Sequence, residues 1–157
     1  MDTLAPASIA RHTTIRISTG RPTEFIDLTS RIETLVAASG IQTGLVNVQS
    51  CHTTAGLVVN EHEPLLLDDF AALLERVSPI AAAYRHDDAS VRRVNVTPDE
   101  RVNGHAHCRA LLLGLSVCLN VVDGRLCLGT WQRVFLAELD GPRARSVSLV
   151  ILGEAGQ

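Results

Sequence analysis

Five of the six histidines in this 157-residue chain fall between positions 52 and 107: His52, His62, His86, His105 and His107. Asn60, Glu61, Glu63, Asp68, Asp87, Asp88 and Asn103 lie among them. Imidazole and carboxylate are the usual ligands of zinc and the usual acid–base groups near neutral pH, so metal chemistry and proton transfer are both open to this segment. No single spacing chooses between them, and the absence of H-E-x-x-H excludes the helical two-histidine zinc protease. The 14 basic residues are all arginine. Schiff-base catalysis, pyridoxal phosphate attachment and a P-loop lysine are therefore excluded.

His105 and His107 depend on the element that carries them. On a strand their spacing would place both rings on one face. A helix starting at Asn103 separates them by about 200°, so they cannot easily serve one site. The first turn of that helix also disfavours imidazolium, and a neutral ring suits a ligand or a general base. His12 and His62 read as surface residues, and Asp68 as a solvated helix position. Trp131, the lone tryptophan, reads as core on composition alone.

The surrounding pattern is α+β. Residues 12–18 alternate and favour β-branched types, which predicts a strand, and 24–28 predict a second. Ser30 and Glu33 have capping-box spacing, followed by a helix to about Ser39 that Gly40 ends. Residues 44–50 and 55–60 read as strands. Pro64 can open a second helix with Leu66, Phe70, Leu73, Leu74 and Val77 inward. Tyr84 to Arg101 is polar and reads as a long loop, a kind of segment that is often functional. A third helix runs from Asn103 to about Leu113. Strands follow at 116–122, 125–129, 132–139 and 146–152, with Asp123-Gly124 as a hairpin turn. An antiparallel sheet or sandwich with about three helices is expected, in a single domain over 12–157 after a flexible stretch, 1–11.

Hydrophobic residues make up 46% and charged residues 20% of the chain, with a net charge of −3. That balance supports a globular core and offers no basic stripe for nucleic acid. No leader pattern or membrane-length apolar run is visible, which places the chain in the cytoplasm by elimination. Cys51, Cys108, Cys118 and Cys127 show no close pairing and read as buried free thiols.

At this point the chain resembles the YjbQ family, also labelled secondary thiamine-phosphate synthase. The matching stretches are His52-Thr53-Thr54-Ala55-Gly56-Leu57, Asn60-Glu61, Tyr84-Arg85-His86-Asp87-Asp88 and Asn103-Gly104-His105-Ala106-His107. Ala110 to Gly114, Asp123 to Leu126, Leu128 to Gln132 and Leu139 to Pro142 continue the match, in order, from about residue 12. The resemblance implies a small α+β domain assembled as a homotrimer, with sites at subunit interfaces. It implies that His52, His86 and His107 converge as metal ligands and catalytic groups. Glu61, Asn103, Trp131 and Gln132 match positions around the same pocket, whereas His105 falls where the family makes no demand. A divalent metal is the implied cofactor. Three neutral imidazoles favour zinc, while diphosphate departure ordinarily uses magnesium.

The implied activity joins a pyrimidine diphosphate to a thiazole phosphate and releases diphosphate. Arg85, Arg109 and Arg125, the basic residues nearest these motifs, are expected to hold the small phosphate substrate. Two rivals remain. One is metal-assisted hydrolysis of a small phosphate or amide with Glu61 as base. The other is a trimeric metal- or metabolite-binding protein without turnover.

Overall fold

The computed structural model describes residues 8–155. Its elements, in order, are β1 (Ser8–Ser18), β2 (Glu24–Asp27), α1 (Thr29–Ser39), β3 (Ile41–Ser50), β4 (Ala55–Glu61), α2 (Pro64–Val77), a 3₁₀ turn (Arg85–Asp87), α3 (Gly104–Leu113), β5 (Ser116–Val122), β6 (Arg125–Leu126), β7 (Gln132–Glu138) and β8 (Ala144–Ala155). The strands form two antiparallel sheets, one ordered β1-β8-β3-β5-β6 and the other β2-β7-β4. The α+β class with three helices is therefore observed. Among the described residues no helix is long and apolar enough to cross a membrane. The expectation of a flexible start falls partly on residues 1–7, outside the described ones; Ser8 to Arg11 instead pair with Glu154 to Ile151 on β8.

Period-two alternation decides which side chains meet. Ile15 and Ile17 of β1, Val46 and Val48 of β3, and Val147, Leu149 and Ile151 of β8 point inward from the larger sheet. They meet Leu57 of β4, Val134 and Leu136 of β7, and Ile32 and Val36 of α1 in one cluster. Strand β7 is covered on both faces, because Ala137 joins Leu139, Leu74 of α2 and Ala106 and Ala110 of α3 in a second cluster. The hairpin at Asp123-Gly124 has both residues at positive φ, 51° and 71°, as a two-residue type I′ turn requires.

The same alternation puts Glu138 and Arg145 on inward-facing positions, with Glu138 0% and Arg145 4% exposed. Each is tolerable only because the other is there. Arg145 donates through Nε to Glu138 Oε2 at 2.6 Å and through Nη2 to Oε1. The carboxylate also accepts Thr19 Oγ1–H at 3.0 Å and the N–H groups of Leu139 and Asp140, both at 2.8 Å. Arg145 adds bonds to the carbonyl and hydroxyl of Thr54 at 3.2 and 3.0 Å. One end of the core is thus closed by a polar layer that also clamps the β7–β8 connection to the start of β4.

Several local expectations are corrected. The first helix starts at Thr29 and its first N–H is taken by Asp27 at 2.8 Å; no Ser30 capping box forms. Glu63, just before Pro64, caps α2 by accepting from the N–H groups of Leu65 and Leu66. Of the apolar residues of α2 only Leu74 is buried, because the helix lies at the rim and leaves Leu73 and Val77 half-exposed. All four cysteines are free and exposed.

Removing one member of a buried ion pair strands the other, at about 3–5 kcal/mol. Glu138→Ala should shift the urea unfolding midpoint down by that equivalent, while Glu63→Ala should lower it by about 1 kcal/mol as an ordinary cap loss. Burial works to raise the Glu138 pKa, but the Arg145 hydrogen bonds and the Asp140 N–H outweigh it, and the net displacement is below the usual 4.5. Its stabilisation is complete above pH 4.5, the unfolded value, and is lost as pH falls from there through the folded value. Stability measured by urea titration from pH 7 to 3 should show that loss in the wild type and not in Glu138→Ala.

Candidate functional site

The polar layer opens onto a cleft of about 500 Å³ lined by the loop Cys51 to Thr54, the segment His86 to Glu100, the start of α3, and Arg143 and Arg145. His52, His86, Asn103 and His107 all line it. Three distant stretches of sequence thus bring three imidazoles to one cavity within a single chain.

Each histidine is positioned by a different device. His52 follows the end of β3, and its Nε2 accepts the backbone N–H of Ser146 at 2.8 Å. His86 sits in the 3₁₀ turn, which Asp87 fastens to α3: the Asp87 carboxylate accepts the N–H of Asn103 at 3.0 Å and of Gly104 at 2.9 Å. These are the free donors at the start of the helix, so Asp87 takes the capping role expected of Asn103. The Asn103 side chain instead donates Nδ2–H to Asp140 at 2.9 Å. Gly104 is required there, since a Cβ would meet the Tyr84 side chain at 2.5 Å. His107, one turn into α3, lies with its ring centroid 4.5 Å from that of His86. His105, about 200° around the helix axis, is buried instead, with its ring near Tyr84.

The site's protonation follows from burial and charge. Burial lowers the pKa of His52, reinforced by the Arg145 charge. Burial also lowers that of His107, with the neighbouring His86 adding to the effect. Both displacements favour the neutral ring. The segment over the cleft is tied by Arg92, which donates to the His86 carbonyl at 3.3 Å, Glu100 at 2.8 Å and the Asn95 carbonyl at 2.7 Å. Arg143 is held by Asp140 at 2.6 Å. In Arg143 and Arg145 these bonds use Nε and Nη2 and leave Nη1 without a protein acceptor among the described residues.

Two polar atoms of cleft residues are buried without a hydrogen bond, His86 Nε2, which has Glu100 Oε1 4.0 Å away, and Asn103 Oδ1. Such atoms are expensive unless something supplies the missing bond. His86 and His107 side by side, with an orphaned ring nitrogen on one of them, fit a pair of metal ligands. The full expected triad does not fit in the same way, because the His52 Nε2 lone pair is already engaged. Among the described residues no cluster of three His, Cys, Asp or Glu side chains stands close enough to enclose an ion.

The remaining predicted residues lie elsewhere. Arg109 is 1% exposed and is consumed by the Ser78 carbonyl, Thr23 and Glu75, so it is structural. Arg85 points outward from the 3₁₀ turn, and Arg125 stands on the edge strand β6; neither lines the cleft. The arginines that do are Arg92, Arg143 and Arg145. Nearness in sequence misled here, since two of these three come from the far end of the chain. Glu61 and Gln132 face each other in the β4–β7 ladder. They sit at the opposite end of β4 from His52, about 20 Å away at about 3.4 Å per residue. Trp131 lies beside them and is 69% exposed, which corrects its reading as core. With Glu61, His62, Pro64 and Arg133 it lines a separate hollow of about 400 Å³.

The family model described as UPF0047 protein YjbQ-like matches residues 13–154. A UPF0047 protein of Methanothermobacter thermautotrophicus is 38% identical over 138 residues, covering 88% of this chain and 89% of that protein. UPF0047 protein YugU of Bacillus subtilis is 32% identical over 143 residues, covering 89% of this chain and 98% of its own length. The crystal structure of a YbjQ-like protein of unknown function from Sulfolobus solfataricus superposes with a TM-score of 0.85 at 34% identity, over 94% of this chain and all of the other. A YjbQ/UPF0047 structure from Clostridium acetobutylicum gives 0.77 at 33% identity, covering 88% of this chain and 98% of that one.

Asp87 is the positioning residue that this geometry makes testable. Asp87→Ala removes the acceptor for two helix-terminal N–H groups, which should cost about 1–2 kcal/mol in urea unfolding. Hydrogen exchange at Asn103 and Gly104 should accelerate more than at the core strands; equal protection in variant and wild type would assign the cap elsewhere.

Proposed function

The chain belongs to the UPF0047 YjbQ-like family, and we propose that its histidine cleft binds the diphosphate of a small pyrimidine substrate and transfers the pyrimidine to a thiazole phosphate. The observation that carries this reading is the pair of guanidiniums, Arg143 and Arg145, which line the cleft beside the imidazoles, each held by a carboxylate and each with Nη1 free of a protein acceptor among the described residues. Pre-oriented arginine suits phosphate oxygens, and the carboxylates behind hold the donors in place. The cleft is of a size usual for small-molecule ligands.

In the transfer, the thiazole ring nitrogen donates its lone pair to the exocyclic methylene of the pyrimidine. The bond from that carbon to the diphosphate oxygen breaks, and its electron pair leaves with the diphosphate. The product thiazolium carries the positive charge, so no proton need move for the balance. The protein's task is to hold the two reactants in line and to stabilise charge growing on the departing oxygens. Arg143, Arg145 and the neutral imidazoles are the groups placed for that work. A divalent ion, zinc or magnesium, would be held by His86 and His107 and when bound neutralises diphosphate charge.

The expected homotrimer belongs to this proposal. The outer face of the larger sheet carries Leu45, Asn47, Gln49, Cys118, Val150 and Leu152 at its middle, an uncharged centre suited to a neighbour, with the charges of Arg16, Arg125 and Glu154 towards its edges. Glu61, Trp131 and Gln132 then reach a histidine cleft as the contribution of a second copy, since within one chain they are too far away.

Purified protein should bind inorganic pyrophosphate in calorimetry, and Arg143→Ala should weaken that binding about tenfold or more, as loss of a charge-assisted bond implies. Incubation with the pyrimidine diphosphate and thiazole phosphate should yield thiamine phosphate, with loss of product in His107→Ala. Turnover of the diphosphate without the thiazole partner would favour the hydrolase, and tight binding without turnover would favour a binding protein. Absence of pyrophosphate binding would reject the phosphate reading.

A further inference from the structure

The register of the larger sheet assigns a tautomer to His52. Strands β3 and β8 pair residue by residue down to Ser50 opposite Val147, so the next pair is Cys51 opposite Ser146. In an antiparallel hydrogen-bonded pair each residue gives its N–H to the other's carbonyl. Half of that exchange is present: the Cys51 N–H donates to the Ser146 carbonyl at 3.1 Å. The reciprocal bond, from the Ser146 N–H, goes to His52 Nε2 at 2.8 Å. The chain turns away after Cys51, and the imidazole takes the place of the missing carbonyl in the ladder.

A backbone N–H can only donate, so Nε2 must present its lone pair. Turning the ring over would put a carbon against the Ser146 N–H and leave it unpaired, a loss that strand backbones rarely accept. Protonating both nitrogens would set donor against donor. The ring therefore carries its single proton on Nδ1, which has no acceptor among the described residues. Burial and the nearby Arg145 charge hold the ring neutral in the same sense. Neither nitrogen then has a lone pair free for a metal ion.

We propose that His52 is a fixed hydrogen-bond donor that presents Nδ1–H to a phosphate oxygen bound in the cleft, and that it is not a metal ligand. His86 and His107 are the metal-facing pair, and His52 with Arg145 forms the anion-facing side. The identity of the anion rests on the phosphate reading above; the tautomer does not.

The test uses histidine-labelled full-length protein and nitrogen NMR, with the His52 signals assigned by their absence in His52→Gln. The expected result is an unprotonated Nε2 and a protonated Nδ1 in the free protein. Pyrophosphate should displace the Nδ1–H signal downfield, and zinc, added to a separate sample, should perturb His86 and His107 and leave His52 Nε2 unmoved. Protonated Nε2, or zinc-induced displacement of His52 as large as that of His86, overturns the inference. Two variants separate the roles. Gln places its amide oxygen near the Nε2 position, so His52→Gln should keep the strand bond and the wild-type melting temperature while losing about tenfold or more in pyrophosphate affinity. Asn places an amide nitrogen near the Nδ1 position, so His52→Asn should melt lower yet bind pyrophosphate within a few-fold of wild type. Wild-type affinity in His52→Gln would also overturn it. If the wild type itself ignores pyrophosphate, the phosphate reading fails, while the free-protein tautomer and the zinc response still decide whether His52 is a ligand.

Discussion

The buried pair of Glu138 and Arg145 is the interaction on which the rest of the molecule is arranged. Two ionised side chains have been carried to the end of an aliphatic core, where neither survives without the other. Glu138 lies next to the connection between β7 and β8, and Arg145 lies just beyond it. Through Thr19 and Thr54 the pair also fixes the end of β1 and the start of β4. Four strand ends therefore converge on one charged layer. A cleft placed over that layer inherits rigid, pre-oriented donors without drawing on its own loops for them.

The cleft wall is assembled from places where regular structure runs out. Strand β3 stops at Ser50, and a side chain continues its ladder. The 3₁₀ turn at Arg85–Asp87 has only one turn to hold it, and it is tied by the Asp87 carboxylate to the free N–H groups at the start of α3. In both cases the backbone donors must be satisfied somewhere, and a histidine-bearing loop is held in place by doing so. Rigid sheet, short loop and satisfied donor together explain how residues as far apart as 52, 86, 107 and 145 reach one cavity.

Much of the frame was legible from local pattern. Asp123-Gly124 demanded a tight hairpin, Pro64 opened a helix where it should, and the helical reading of 103–113 separated His105 from His107 as the structure does. The family motifs named His52, His86, Asn103 and His107, and all four line the cleft. The arginines were not legible. Arg85 and Arg109 neighbour the histidine motifs in sequence, yet one points to solvent and the other is spent on Glu75 and Ser78. Arg143 and Arg145 follow directly on the matched stretch Leu139 to Pro142, but nothing local to them points to the histidines; only the antiparallel pairing of β8 with β3, a contact between distant stretches, brings this end of β8 to His52. Trp131 reads as core because tryptophan usually is, although the strand pattern, ending at 129 and resuming at 132, already leaves it in the connection where it is found exposed. Glu61 ends β4 and Gln132 begins β7, and it is the length of these paired strands, not a motif, that carries both away from the histidines.

A crystal structure of the protein grown with inorganic pyrophosphate tests the account at its centre. The expected result is a diphosphate in the cleft between His52, His86 and His107, with the Nη1 groups of Arg143 and Arg145 on its oxygens. A diphosphate seated instead beside Trp131 and Arg133, with the histidine cleft empty, would contradict it.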